Sequence, residues 1–138
     1  MPAKDTYHNA VKVALTKDGW TITHDPLRIK LRKRKLFVDL GAERLLAAEK
    51  DSQKIAIEIK SFLRPSPMKD LEEALGQFTL YFQLLNRYEP ERVLYLAVTE
   101  DVRRTVFDEE AGEILIDNGI IRLVTFNPIE EMIVQWIP

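Results

Sequence analysis

Apolar residues recur along this chain in two rhythms, one helical and one alternating. Within residues 5–19, Tyr7, Val11, Ala14 and Leu15 form a stripe at helical spacing. Asp5 or Thr6 can cap its start and Gly19 can end it. Residues 20–24 alternate and stop before Pro26, which predicts a short strand. Residues 35–50 look strand-like at both ends, with Gly41 as an expected bend or bulge. After the turn residues Asp51, Ser52 and Gln53, residues 54–62 form the clearest alternating strand. Ile55, Ile57 and Ile59 share one face; Ala56, Glu58 and Lys60 share the other.

The second half is punctuated differently. The run RPSP at residues 64–67 breaks the chain, and residues 68–88 then carry the strongest helical pattern. Leu71, Leu75, Phe78, Phe82 and Leu85 define its apolar stripe. Residues 92–100 and 120–128 are continuous apolar strands, the pattern of strands covered on both faces. Residues 101–119 between them predict one broken helix or two short ones. Residues 129–138 fit either a helical turn or a last strand. The expected order is helix, three antiparallel strands, helix, strand, helix, strand. This is an α/β fold with a mixed β-sheet flanked by helices, in a single domain over residues 1–138.

Composition narrows the classes. The chain has 138 residues, 46% hydrophobic and 30% charged, enough for one domain with a core. It has no cysteine, so a disulfide framework and a thiolate zinc site are excluded. No apolar run approaches membrane-span length and the N-terminus lacks a signal-peptide core, so a cytoplasmic protein with no membrane association is expected. A net charge of −2 excludes a uniformly basic coat. The charge is nevertheless unevenly spread: residues 1–69 hold 15 Lys and Arg against 8 Asp and Glu, and residues 70–138 hold 5 against 14. This asymmetry points to one basic and one acidic face unless folding mixes the halves.

Glu58 and Lys60 raise a chemical question, because they are neighbours on one face of a strand. As an isolated pair they read as an ordinary ion pair on an exposed strand face. Asp39, Glu43 and Glu49 lie upstream. If the turn centres on Ser52 and Gln53, Ala47 lies opposite Glu58 and Glu43 falls on the same side further along. A bulge at Gly41 or a strong sheet twist would draw Asp39 in as well. Converging carboxylates repel unless a hard cation neutralises them, and Mg²⁺, with Mn²⁺ as a substitute, prefers such oxygens. Asp39, Glu43 and Glu58 are therefore candidate metal ligands. Lys60 beside them can hold an attacking water or steady developing negative charge.

Asp39 followed by Glu58-Ile59-Lys60 resembles the PD-(D/E)-x-K nuclease motif, although Val38 stands where the motif has proline. Gln77 to Tyr81, in QFTLY, resembles the Q-x-x-x-Y signature of RecB-type nucleases, which makes Gln77 an orienting residue and Tyr81 its support. That branch often carries an acidic residue on its first helix near the position of His8, read here as a half-buried or solvent-facing histidine. The order of elements resembles a restriction-endonuclease-like core. Over nearly the whole chain, DLGAERLLAAEK and IAIEIKSF resemble the XisH family of factors controlling excision of the fdxN element. This resemblance implies a role in programmed DNA recombination with a XisI-like partner protein and a separate recombinase. It also implies an endonuclease-like fold, used either for Mg²⁺-dependent DNA cleavage or for binding alone. The catalytic set under the nuclease reading is Glu58, Lys60 and Gln77, with the Ile59 carbonyl assisting the metal. Oligomeric state stays open.

A last feature bears on DNA. RIKLRKRK, residues 28–35, holds six basic residues in eight, and alternation places Arg28, Lys30, Arg32 and Arg34 on one strand face or loop edge. Such a row can neutralise phosphates, or it can protect a sheet edge from aggregation. His24 reads as structural. No glycine-rich phosphate loop or serine triad is present.

Overall fold

The computed structural model describes residues 4–45 and 52–138. The elements are α1 (His8–Lys17), β1 (Thr21–His24), β2 (Leu27–Lys30), β3 (Lys35–Val38), β4 (Leu40–Leu45), β5 (Ser52–Ile59) and α2 (Pro67–Tyr88). They continue with β6 (Arg92–Thr99), α3 (Glu100–Thr105), α4 (Glu110–Asp117), β7 (Leu123–Asn127) and β8 (Met132–Ile137). Six strands form one mixed sheet in the order β1-β4-β5-β6-β7-β8, and β2 and β3 form a separate hairpin. The sheet is antiparallel at both sides and parallel across β5, β6 and β7. The mixed sheet flanked by helices agrees with the fold class read from the sequence.

Three details differ from that reading. The three antiparallel strands are β1, β4 and β5, and the chain leaves the sheet between β1 and β4 to form the hairpin. The hairpin's Leu27, Ile29 and Val38 join the core under α2, so burial of alternate residues pulls it onto the helix. The tail is a strand, β8, and residues 100–117 are two short helices. The expected bend at Gly41 falls instead at Asp39, where β3 ends and β4 begins. Gly41 runs straight in β4 opposite His24, at an irregularity in β1. A Cβ on Gly41 would lie 3.2 Å from both the Arg92 guanidinium and the His24 ring, so glycine provides room there rather than a bend.

The two faces of β5 enter two cores. Ile55, Ile57 and Ile59 pack with Val11 and Leu15 of α1 and with Leu40 and Ala42 of β4. Ala56, on the other face, packs with Leu71, Ala74 and Phe78 of α2 and with Leu94 and Leu96 of β6. The Glu58 face is thus covered by a helix rather than open to water. Helix α2 starts where Pro67 presets the first helical turn and Ser66 Oγ accepts the Lys69 N–H at 3.2 Å. Its inner stripe runs Leu71, Ala74, Phe78, Tyr81 and Leu85. Phe82, expected in that stripe, lies on the outer flank with the Arg122 guanidinium 5.9 Å from its ring centroid.

Candidate functional site

The site is built where β4 begins and β5 ends. Leu40 pairs with Ile57, so Asp39 stands opposite Glu58 one residue further on. The Ile59 N–H donates to Asp39 Oδ2 at 2.7 Å, and the Asp39 N–H donates to Glu58 Oε1 at 3.3 Å. Each carboxylate is therefore held by the other's strand. Glu58 is only 7% exposed. Burial, and then the charge of Asp39 beside it, push the Glu58 carboxyl up to about 9. Burial likewise raises Asp39, against the opposing Ile59 hydrogen bond. Ionising both carboxylates together is therefore disfavoured unless a cation relieves the repulsion. Tyr81 reaches the same place from α2: burial first, and then the charges of Glu58 and Asp39, push its phenol up to about 12.

Lys60 follows directly, with its backbone N–H donating to the Ala97 carbonyl at 3.1 Å. Its ammonium donates to Glu73 on α2 instead of pairing with Glu58. Glu73 Oε2 also accepts from Arg64 at 2.7 Å, and the Arg64 Nε donates to Asp70 Oδ1 at 2.6 Å. Asp70 is 1% exposed at the start of α2. Lys60, Glu73, Arg64 and Asp70 thus form an alternating chain of charges that ties the strand end to the helix. Lys60 and Arg64 hold Glu73 below the usual carboxylate range.

The N-terminal segment closes the other side. Asp5 Oδ2 accepts the Ser61 N–H at 3.1 Å, and Asp5 Oδ1 accepts the Tyr7 N–H at 2.9 Å. His8 is 4% exposed, not half-buried or solvent-facing as its sequence position suggested. Its Nε2 lies 2.7 Å from Asp25 Oδ1, and the Lys12 ammonium lies 2.7 Å from Asp25 Oδ2.

Among the sequence-selected residues, the structure brings Asp39, Glu58, Lys60 and Tyr81 to one region and separates Glu43. Glu43 pairs with Lys54 across β4 and β5, with Lys54 Nζ 3.9 Å from its Oε1. It is four residues beyond Asp39, about 13 Å along a strand. The expected geometry placed the turn at Ser52 and Gln53. Those residues instead belong to β5, and the Leu45–Ser52 pairing puts the connection within 46–51. Small polar residues there begin a strand rather than a turn, so the register shifts and Asp39 faces Glu58. Glu49 lies outside the described residues. Gln77 is half-buried on α2, one turn before Tyr81, and makes no side-chain hydrogen bond among the described residues. Arg28, Lys30, Arg32 and Arg34 are exposed, the first two on β2 and the others in the turn leading to β3.

The donor set fits a hard divalent cation in part. Glu58 offers a buried carboxylate and Asp39 a half-buried one, both with raised proton affinity, and Mg²⁺ commonly takes one or two carboxylates and completes its shell with water. No group of three or more His, Cys, Asp and Glu residues suited to a metal occurs among the described residues. No helix among them is long and apolar enough to cross a membrane.

Sheet and site together define an α/β protein in which Glu58, at the end of central strand β5, faces Asp39 at the start of β4 and is followed by a tethered lysine. The sequence profile described as XisH protein matches residues 1–134, and the chain belongs to the XisH family. An XisH family protein from Nostoc punctiforme is similar to it at 40% identity with a TM-score of 0.86; the alignment covers 97% of this chain and 100% of that one. An fdxN element excision controlling factor protein from Anabaena variabilis is similar at 39% identity with a TM-score of 0.85, covering 98% of this chain and 100% of that one. No curated protein matches the chain significantly.

Proposed function

We propose that this protein is an fdxN-type element excision controlling factor that acts on DNA, with a restriction-endonuclease-like core and a phosphodiester-cleaving site at Asp39, Glu58 and Lys60. The observation that carries the cleavage reading is the Asp39–Glu58 carboxylate pair facing each other at the strand ends. Bound Mg²⁺, or Mn²⁺ in its place, would supply charge neutralisation and polarise a phosphate oxygen. Asp39 and Glu58 would hold it, assisted by the Ile59 carbonyl. Lys60 holds the attacking water and steadies charge developing on the phosphate. The attacking water gives up a proton to solvent as its oxygen bonds to phosphorus, the bond to the leaving strand oxygen breaks, and that oxygen takes a proton from solvent. Glu73 positions Lys60, and Gln77, one turn before Tyr81, orients the phosphate. Arg28, Lys30, Arg32 and Arg34 neutralise neighbouring phosphates.

A second reading is favoured by one observation: the Lys60 ammonium is bound to Glu73 rather than turned to the carboxylates. On that reading the protein is a non-catalytic control factor that binds DNA or a XisI-like partner, and a separate recombinase does the cutting.

Incubation with duplex, single-stranded and branched DNA in Mg²⁺ or Mn²⁺ separates the two. Metal-dependent cleavage that Lys60→Ala abolishes supports the nuclease reading. Binding without cleavage of any substrate assigns the control-factor role.

A further inference from the structure

The tip of the β2–β3 hairpin meets the C-terminal end of α2 in a notch of about 440 Å³, lined by Leu31, Arg32, Lys33, Arg34, Arg87 and Tyr88. We propose that this notch binds single-stranded DNA, holding phosphate among its cations and one unstacked base against Tyr88. The inference rests on the DNA-acting reading above but not on cleavage.

Charge is the first support. Among the described residues, Arg32, Lys33, Arg34 and Arg87 form no ion pair. Arg64, Arg92, Arg103 and Arg104 are all paired with carboxylates. Four gathered cations repel one another, and a polyanion relieves that repulsion. Arg32 and Arg34 were expected to touch phosphate from the sequence. Arg87 and Tyr88 join them only because the hairpin lies along α2 and its apolar side packs into the helix.

The aromatic wall makes the site more than a charge patch. Tyr88 is the last residue of α2, 49% exposed, with the Arg87 guanidinium 6.0 Å from its ring centroid. An exposed ring beside guanidinium groups is a stacking platform for a base. Duplex bases already stack on each other and present no free face, whereas a single strand does. The notch therefore selects single-stranded DNA over duplex of equal length. Fifteen residues of α2 separate Tyr88 from Glu73, about 22 Å along the helix, so the notch stands well apart from the carboxylate pair.

The test is fluorescence anisotropy of the full chain with labelled oligothymidine and with a duplex of equal length, in EDTA so that cleavage plays no part. Oligothymidine should bind more tightly than duplex. Tyr88→Ala should weaken oligothymidine binding about fivefold to a hundredfold and leave duplex binding unchanged, while Tyr88→Phe keeps the wild-type affinity. Arg87→Ala should lower the salt slope by about one. Equal affinities for the two DNAs, or an unchanged Tyr88→Ala with duplex still bound, would overturn the notch while leaving the DNA-acting reading intact. Failure to bind either DNA would overturn both.

Discussion

Helix α2 joins two charged regions of opposite character. At its N-terminal end the charges are chained to partners, Lys60 with Glu73, Glu73 with Arg64 and Arg64 with Asp70, beside the facing carboxylates Asp39 and Glu58. At its C-terminal end the cations of the hairpin tip and Arg87 have none among the described residues. The first arrangement fixes side chains in place, as a site for chemistry needs. The second leaves charge uncompensated at the surface, as a site for a polyanion needs. The same residue types therefore serve different ends, and the partners decide which. Glu58 is the exception within the ordered end, because its nearest charged neighbour is another carboxylate.

The contrast breaks most visibly if Lys60 is removed. Lys60→Ala should lower any metal-dependent cleavage rate by about a hundredfold or more, with circular dichroism unchanged; rates of product formation on the preferred DNA check this. At the other end, replacing Arg32 and Arg34 together by alanine should weaken DNA binding across sequences and reduce the salt slope by about two. A titration at several salt concentrations measures it, and an unchanged slope would assign the row to edge protection.

A smaller effect concerns stability and pH. The folded Glu58 carboxyl binds its proton more tightly than an ordinary carboxyl, since its pKa stands at about 9 against 4.5. Its favourable contribution is therefore complete below about pH 4.5 and is lost as pH rises toward 9. Glu58→Gln should raise the metal-free melting temperature at pH 8, by an amount on the order of 2 kcal/mol in stability. The gain should shrink toward pH 5, as differential scanning calorimetry across pH will show. The smallest expected change is at Glu73, whose side chain is partly exposed: Glu73→Gln should cost about 1 kcal/mol or less in chemical denaturation.

Much of the framework was legible because burial imposes periodicity. The three isoleucines of β5, the stripe of α2 and the apolar runs of β6 and β7 all read directly from spacing. The hairpin of β2 and β3 did not, because its basic residues masked the alternation of Leu27 and Ile29, whose burial depends on a helix forty residues away. The candidate site was half legible. Asp39, Glu58 and Lys60 carried a motif, but choosing between Asp39 and Glu43 required the register, and the observed register centres the β4–β5 pairing four residues earlier than the turn residues suggested. Glu73, Arg64 and Asp70 gave no signal, since a surface-looking D-x-x-E on a helix and an arginine before a proline are common in solvated segments. Their roles come from the docking of α2 against the end of β5. The convergence of carboxylates on Glu58 was the chemically unusual feature the sequence suggested, and strand pairing assigned the second carboxylate to Asp39.

The central claim is that Asp39 and Glu58 form a cation site rather than a buried proton-sharing pair. Calorimetric titration of Mg²⁺ and Mn²⁺ into the wild type, Glu58→Gln and Lys60→Ala tests it most directly. The account predicts binding to the wild type, loss of that binding in Glu58→Gln, and retained or tighter binding in Lys60→Ala, where a positive charge beside the cation is gone. Absence of binding to the wild type, or equal binding to all three proteins, would contradict it.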